Sequence, residues 1–367
     1  MRRYLGKLPK STEELLQWYE RYISPLTLVV AFTIDSLAFR RVDLLLSNIL
    51  LFTYLTVVAG AILLYHLIQS GRLRGKFFLT ILPFVPVAMQ FGFGGLFSAF
   101  VILYSQSAAY ATSWIFVAGL ALLLIGNERF RKLYTRFVFQ ASMFFVVLVS
   151  FLIFFLPVVS GRIGIEIFLA SQLIGIAAMV GFVYLFSVVV PLVYRDARVD
   201  LWRVGASILL VFNLLYLTNA IPPLPLALKE AGVYHGVKKS GDSYTLRAEP
   251  LLWYQQYLRY NTVFHKAPGE RAYVFTSIFA PTKLETIIVH EWQFYDTLRK
   301  DWRTMSRVSY PIQGGRDGGY RGFTVQDSLS PGDWRVNVRT ADGRLVGRVS
   351  FAVQNVPTPV TVEDVVR

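Results

Sequence analysis

The chain contains no cysteine, so disulfides, thiolate metal sites and a cysteine nucleophile are all excluded, and the redox state of its compartment is left open. Histidine is nearly as scarce. His66, His235, His265 and His290 stand far apart in the sequence, and none has a partner at the spacing of a metal-binding or triad motif. His290-Glu291 opens like a zincin helix, but position 294 is Phe and the segment reads as strand. There is no G-x-S-x-G, no Walker loop and no dinucleotide fingerprint, which removes the common hydrolase, nucleotide and flavin chemistries. The residues point to no enzyme, no metal and no cofactor. Charge is also sparse: 16% of the 367 residues are Asp, Glu, Lys or Arg, against 54% hydrophobic ones. That balance excludes an ordinary soluble globular protein and points to a polytopic membrane protein. The surplus of 37 Lys and Arg over 23 Asp and Glu, net +14, then reads as membrane topology rather than nucleic-acid binding.

What is present divides at Ile221-Pro222-Pro223-Leu224-Pro225, where prolines end any helix because each lacks an amide hydrogen and clashes with the preceding turn. The expected fold is an α-helical polytopic membrane domain of about seven transmembrane helices, residues 23–221, followed by an all-β antiparallel, immunoglobulin-like sandwich, residues 222–367. Residues 1–22 carry Ser11-Thr12-Glu13-Glu14, a capping box, ahead of a mixed apolar, aromatic and charged stretch. This predicts a cytoplasmic interfacial helix or, equally, an extension of the first span; no cleaved signal peptide is expected.

Apolar runs long enough to cross about 30 Å of hydrocarbon are expected near 24–39, 44–68, 77–93, 107–125, 136–157, 166–190 and 204–221. The segment 94–106 is apolar enough to be an eighth span, and charge arbitrates. With seven spans, fifteen cations fall on one face: Arg2, Arg3, Lys7, Lys10, Arg21, Arg72, Arg74, Lys76, Arg129, Arg131, Lys132, Arg136, Arg195, Arg198 and Arg203. Arg40, Arg41 and Arg162 make three on the other. The positive-inside rule therefore favours seven, with a cytoplasmic N-terminus and the C-terminal domain outside. Residues 94–106 then become a helix extension, an interfacial turn or a re-entrant piece.

In the C-terminal part, strands are expected over 233–246 around the Ser240-Gly241-Asp242 turn, and at 272–279, 284–294, 304–310, 322–326, 333–339 and 345–353. Residues 251–260 read as a short helix or an aromatic strand. In Trp334-Arg335-Val336-Asn337-Val338-Arg339 apolar and polar residues alternate, so one face packs and the other meets water. Asp342-Gly343 suits a tight hairpin turn.

The Pro331-Gly332-Asp333-Trp334-Arg335-Val336 segment, the Asp342-Gly343 turn and the closing Gly347-Arg348-Val349-Ser350-Phe351-Ala352-Val353 strand resemble the C-terminal signature of a bacterial domain of unknown function, family 2914. His290-Glu291-Trp292, Ser306-Arg307 and the Pro222 to Lys229 entry are similar to the same family. The resemblance covers about residues 220–354. It implies a multi-pass bacterial inner-membrane protein with a periplasmic domain, and no catalytic residue.

Two sets of residues are candidates for function. In the β part, Gly314 to Gly322 forms a basic, glycine-rich loop whose amides, with Arg316 and Arg321, suit an anionic envelope group; the plain and favoured account is a long hairpin connection with solvated arginines. Trp302, Arg303 and Tyr320 join this set as exposed contacts for an envelope protein or a glycan, whereas Trp292 and Trp334 belong to the core. In the apolar part, Asp35, His66, Gln90, Glu166, Gln172 and Asn213 are polar groups at costly positions. Ion pairs with Arg40 or Arg41 and with Arg162 are the plain accounts of Asp35 and Glu166; a polar cavity is the other. Close helix packing is the plain account of Gly92, Gly94, Gly95, Gly175 and Gly181. The expected function is membrane anchoring of a binding module, with transport or lipid handling by the helices as the alternative. The expected partners are the bilayer and an envelope ligand, not nucleic acid.

Overall fold

The computed structural model describes residues 30, 32–37, 39, 45–107, 112–127, 129–130, 133–223, 225–250, 263–281, 284–315 and 318–367. The expected helix within 1–22, Arg40, Arg41, the 251–260 segment and Arg316 lie outside them. The described residues fall into two compact units, one built from stretches up to Ser105, from Ile115 to Phe155 and from Leu169 to Leu215, the other from Gln106–Trp114, Leu156–Phe168 and Tyr216–Arg367.

Seven α-helices are described: α1 Leu45–Gln69, α2 Lys76–Ile81, α3 Val85–Ser107, α4 Trp114–Asn127, α5 Phe137–Ser160, α6 Ile165–Val189 and α7 Pro191–Leu217. Among the described residues, five apolar segments are long enough to cross a membrane: Ser47–Gln69, Lys76–Ser107, Phe137–Ser160, Ile165–Val189 and Pro191–Leu217. Residues 94–106 form no separate span. They continue α3, which joins α2 through a 3₁₀ turn at Leu82–Phe84 into one 32-residue helical segment. Helix α4, at 14 residues, rises only about 21 Å. Helix α7 starts at Pro191, well before the expected 204, because proline suits the first helical position and Arg195, Arg198 and Arg203 extend a helix readily.

Packing follows small residues. A Cβ on Gly92 would lie 2.6 Å from Val58 Cγ2, and one on Gly95 2.9 Å from the Tyr54 ring, so α3 approaches α1 as closely as only glycine permits. Gly175 sits against Val149 and Leu152 of α5, whereas Gly181 has open space where its side chain would be. Helices α3 and α5 bury most of their length; α6 and α7 leave most of theirs uncovered.

The β unit contains β1 Ala227–Tyr234, β2 Gly236–Ser240, β3 Ser243–Ala248, β4 Val263–Lys266, β5 Ala272–Phe279, β6 Glu285–Asp296, β7 Asp301–Gln313, β8 Tyr320–Gln326, β9 Gly332–Thr340, β10 Leu345–Asn355 and β11 Glu363–Val366. They form three sheets, ordered β1-β5-β8, β4-β10-β9-β6-β7 and β11-β3-β2. Among the described strands the pairing is antiparallel except between β4 and β10, which run parallel, so a purely antiparallel domain is corrected to a mostly antiparallel one. The two predicted turns hold, with Gly241 and Gly343 at φ +61° and +85°. The first two sheets share one apolar core in which Trp292, Trp334, Val274, Val336, Val349 and Phe351 are buried. Inside it, His290 is fully buried, with Nδ1 2.9 Å from Thr324 Oγ1 and Nε2 3.1 Å from both Thr276 Oγ1 and Tyr310 Oη. Burial pushes the His290 imidazole down to about 3, so it is neutral and serves as a hydrogen-bonding core residue rather than a base. Within this unit Arg344 lies over the Tyr216 ring at 3.8 Å and donates to the Ile221 carbonyl at 3.2 Å, tying the turn after β9 to the chain entering β1.

Candidate functional site

Strand alternation sends Trp292, Trp334, Val336 and Val349 into the core, and so sends Glu291, Gln293, Arg335, Asn337, Arg339 and Arg348 to the opposite face of the five-stranded sheet. Register then sets them side by side. Arg348, Asn337, Glu291 and Arg307 form one row across β10, β9, β6 and β7, and Ser350, Arg335, Gln293 and Thr304 form the next. Four guanidinium groups, from β10, β9 and β7, therefore gather around a single carboxylate on β6.

Glu291 is buried, and its Oε1 accepts from Arg307 Nε and Nη2 at 3.0 and 2.7 Å. Its Oε2 accepts from Arg339 Nε at 2.9 Å and Asn337 Nδ2 at 3.1 Å. Burial by itself raises this carboxyl, but the Asn337 amide and the Arg307 and Arg339 guanidiniums outweigh it and hold Glu291 below the usual carboxylate range. Asn337 Oδ1 accepts from Arg348 Nε at 2.7 Å, and Gln293 Oε1 accepts from Arg335 Nε at 2.7 Å and Asn337 Nδ2 at 3.0 Å. The Arg335 guanidinium lies 4.1 Å over the Trp302 ring, which leans on Tyr295. Burial and then mutual repulsion among Arg335, Arg339 and Arg348 lower the affinity of Arg335 and Arg348 for their protons. Both remain charged, but the face carries unspent positive potential. Asp301 is the acid whose field also reaches Arg335, and Asp333 shares this side of β9. Among the described residues, no Nη atom of Arg335 or Arg348 has a hydrogen-bond partner. Such an arrangement suits carboxylate, phosphate or sulfate oxygens, with Trp302 at its edge.

Of the residues singled out in the sequence, Trp302 belongs to this face and Arg303 is exposed beside it on β7. Tyr320 and Arg321 do not. They lie on β8 of another sheet, where Tyr320 packs against an apolar cluster and Arg321 donates to the Asp242 carbonyl at 3.0 Å, in a cleft with Gly318 and Gly319. The anticipated single basic site is thus divided between two sheets. Sequence reasoning missed Glu291, Arg307, Arg335, Arg339 and Arg348. The alternation in 334–339 signals their common face, but the row across four strands depends on register.

A second cluster joins residues that the sequence keeps far apart. His235, at the β1–β2 junction, is buried, with Nδ1 2.6 Å from Glu270 Oε1 and Nε2 2.9 Å from Glu249 Oε1. Glu249 Oε2 also meets His265 Nδ1 at 2.7 Å, and Phe264 stacks on the His235 ring. Burial lowers the His235 pKa, but the two carboxylates raise it more, and the net direction is upward. Burial raises Glu249, and the His235 and His265 contacts reverse this and leave it lowered. The two carboxylates clasp opposite edges of one ring, so their oxygens do not converge; among the described residues no group of three or more acids or histidines is arranged to hold a metal ion.

On the helices the polar candidates form separate sets. His66 Nε2 lies 2.9 Å from Gln140 Oε1; Gln140 donates to the Tyr134 carbonyl, Tyr134 donates to Asn127, and Asn127 donates to the Gln90 carbonyl at 2.9 Å. Gln172 Oε1 accepts from Asn213 Nδ2 at 3.0 Å, pairing α6 with α7. Asp35 is half-buried, and Ser98 is its polar neighbour. Glu166 is exposed in the first turn of α6; the expected pair with Arg162 is not formed, and the positive end of the helix dipole accounts for an acid there.

Comparison with known proteins adds one family. Residues 285–353 match the family described as Protein of unknown function (DUF2914), so the C-terminal region carries this domain, over a shorter stretch than the 220–354 expected. Every residue of the arginine face lies within the match. No curated protein matches the chain. A solved structure of the alkylpurine DNA glycosylase AlkC from Pseudomonas fluorescens, bound to DNA containing an abasic site analog, is 10% identical over 84% of this chain and 98% of its own. Its TM-score is 0.19, too low to carry an argument.

Proposed function

We propose that this is a bacterial inner-membrane protein whose helices cross the bilayer seven times and hold a two-layered β-sandwich in the periplasm, where the arginine face binds an anionic envelope ligand. Binding, not catalysis, is the role. The observation that carries the reading is the gathering of Arg307, Arg335, Arg339 and Arg348 on one sheet face around one buried carboxylate, with the Arg335–Trp302 stack at its edge. A carboxylate- or phosphate-bearing glycan fits best, because Trp302 offers a ring for a sugar face while the guanidinium groups take the acid. An acidic protein segment would use the same groups. The fifteen-to-three distribution of cations supports a cytoplasmic N-terminus and a C-terminal domain outside.

The test uses the purified full chain in mild detergent on immobilised dextran sulfate and on neutral dextran. The wild type is retained by the first only, and Arg335→Gln/Arg348→Gln elutes at markedly lower salt. Equal elution of both forms rejects the arginine face as the site. For orientation, an alkaline-phosphatase fusion after Arg367 is active and one between Arg129 and Arg136 is not; the reverse pattern overturns the topology.

A further inference from the structure

The least covered helices carry a second site. Helices α5, α6 and α7 enclose a groove of about 330 Å³ between them. Its floor is apolar, formed by Phe145, Met179, Val183 and Ile208, and Gly205 leaves it open because no atom lies within 4 Å of where its Cβ would be. Its character changes at one end. There the last turn of α6 contributes Ser187 and the first turns of α7 contribute Tyr194 and Arg198, with Trp202 one turn farther in and 70% exposed. Arg198 and Arg195 have no ion-pair partner among the described residues, whereas Arg203 meets Asp200 at 3.5 Å. Asp196 and Asp200, the acids of this turn, line a different hollow beside Arg136, on the side of α7 facing the start of α5.

The dimensions and charge name the occupant. From Arg198 to Leu209 the groove follows α7 for 11 residues, about 16 Å at the helical rise, which is close to half of the roughly 30 Å hydrocarbon core. A guanidinium at one end, an indole one turn farther in, and an apolar channel about one leaflet long match one phospholipid molecule. We propose that this groove is a binding site for an anionic phospholipid, with an acyl chain along Phe145, Met179 and Ile208 and the phosphate held by Arg198 and Tyr194. Arg198 selects the headgroup charge, because a diester phosphate with a neutral or acidic headgroup keeps its negative charge, whereas a choline headgroup cancels it. The site needs only that these helices lie in a bilayer, so it stands or falls separately from the arginine face.

The test is native mass spectrometry of the full chain, titrated with phosphatidylglycerol and with phosphatidylcholine of identical acyl chains. Wild type binds one phosphatidylglycerol at least tenfold more tightly than phosphatidylcholine, and glycerol phosphate does not compete. Arg198→Gln binds both lipids equally; Arg195→Gln, which changes the same net charge outside the groove, keeps the preference. Gly205→Leu fills the channel and loses both lipids, while size-exclusion and helical circular dichroism match wild type. Equal affinity for the two lipids in wild type, loss of preference in Arg195→Gln as in Arg198→Gln, unchanged binding in Gly205→Leu, competition by glycerol phosphate, or a second copy of the chain in place of lipid each overturns the proposal.

Discussion

Replacing Glu291 by Gln removes the one buried anion of the arginine face while keeping its shape. Two guanidiniums and an amide then lose their charged acceptor. The share of Arg307 is small, because its side chain is 67% exposed and solvent-screened pairs contribute about 0.2–1 kcal/mol. Arg339 is 32% exposed, and a hydrogen bond to a charged group there contributes about 1.5–3 kcal/mol. Adding the closer repulsion of Arg335, Arg339 and Arg348, the loss comes to about 3 kcal/mol, roughly a hundredfold in the unfolding constant. Urea unfolding of the full chain in detergent, followed by the fluorescence of the buried Trp292 and Trp334, reads this out. With a slope of about 1–3 kcal/mol per molar, the midpoint falls by about 1–3 M. Arg307→Gln added to Glu291→Gln recovers part of the loss, because a repelled cation goes with it. A midpoint within about 0.3 M of wild type would refute the reasoning, since Glu291 would then not be the charge that holds the face together.

Three further outcomes are expected. The raised His235 pKa makes its contribution complete below the unfolded value of about 6.5 and lost as pH rises through the folded value; the lowered Glu249 pKa makes its contribution present above about 4.5 and lost as pH falls. The β domain is therefore most stable in mildly acidic solution, and His235→Gln flattens the alkaline limb of a urea-midpoint profile; a limb unchanged by the substitution contradicts the cluster's role. Gly314→Ala places a Cβ 1.7 Å from the Pro281 carbonyl oxygen, a backbone atom that cannot yield, and lowers stability by about 2–3 kcal/mol, while Gly343→Ser acts only through its positive φ. Asn213→Leu removes the Gln172 partner and weakens α6–α7 docking by about 0.6 kcal/mol, measured by unfolding in mixed micelles; a loss of several kcal/mol would mean that the pair does more than join two helices.

Much of this architecture is legible in the residues because it rests on local physics. The strand over 333–339, the Asp342-Gly343 turn and the buried Trp292 and Trp334 follow from alternation and turn chemistry, and they appear where expected. The helix boundary at Pro191 was less visible, since charged residues that look like a loop also propagate helices. The arginine face was not legible as a site. Arg307 and Arg348 are 41 residues apart and become members of one row only when β7, β6, β9 and β10 pair in register. The same holds for His235 and Glu270, joined by the meeting of the β1 end with the β4–β5 turn. Loop composition pointed to Arg321, but its guanidinium is engaged by the Asp242 carbonyl, a contact that only the folded chain reveals.

Trp302 offers the most direct measurement, because it lies under Arg335 at the edge of the arginine face and reports on anything seated there. Titration of the full chain with dextran sulfate, compared with Trp302→Phe to isolate its signal, is expected to change Trp302 emission with a midpoint that weakens steeply with salt. Arg335→Lys keeps the charge but loses the planar fork, and Arg335→Gln/Arg348→Gln loses both, so the account predicts a graded loss across the two. An emission change identical in all three proteins, or none in the wild type at low salt, would contradict anion binding at this face.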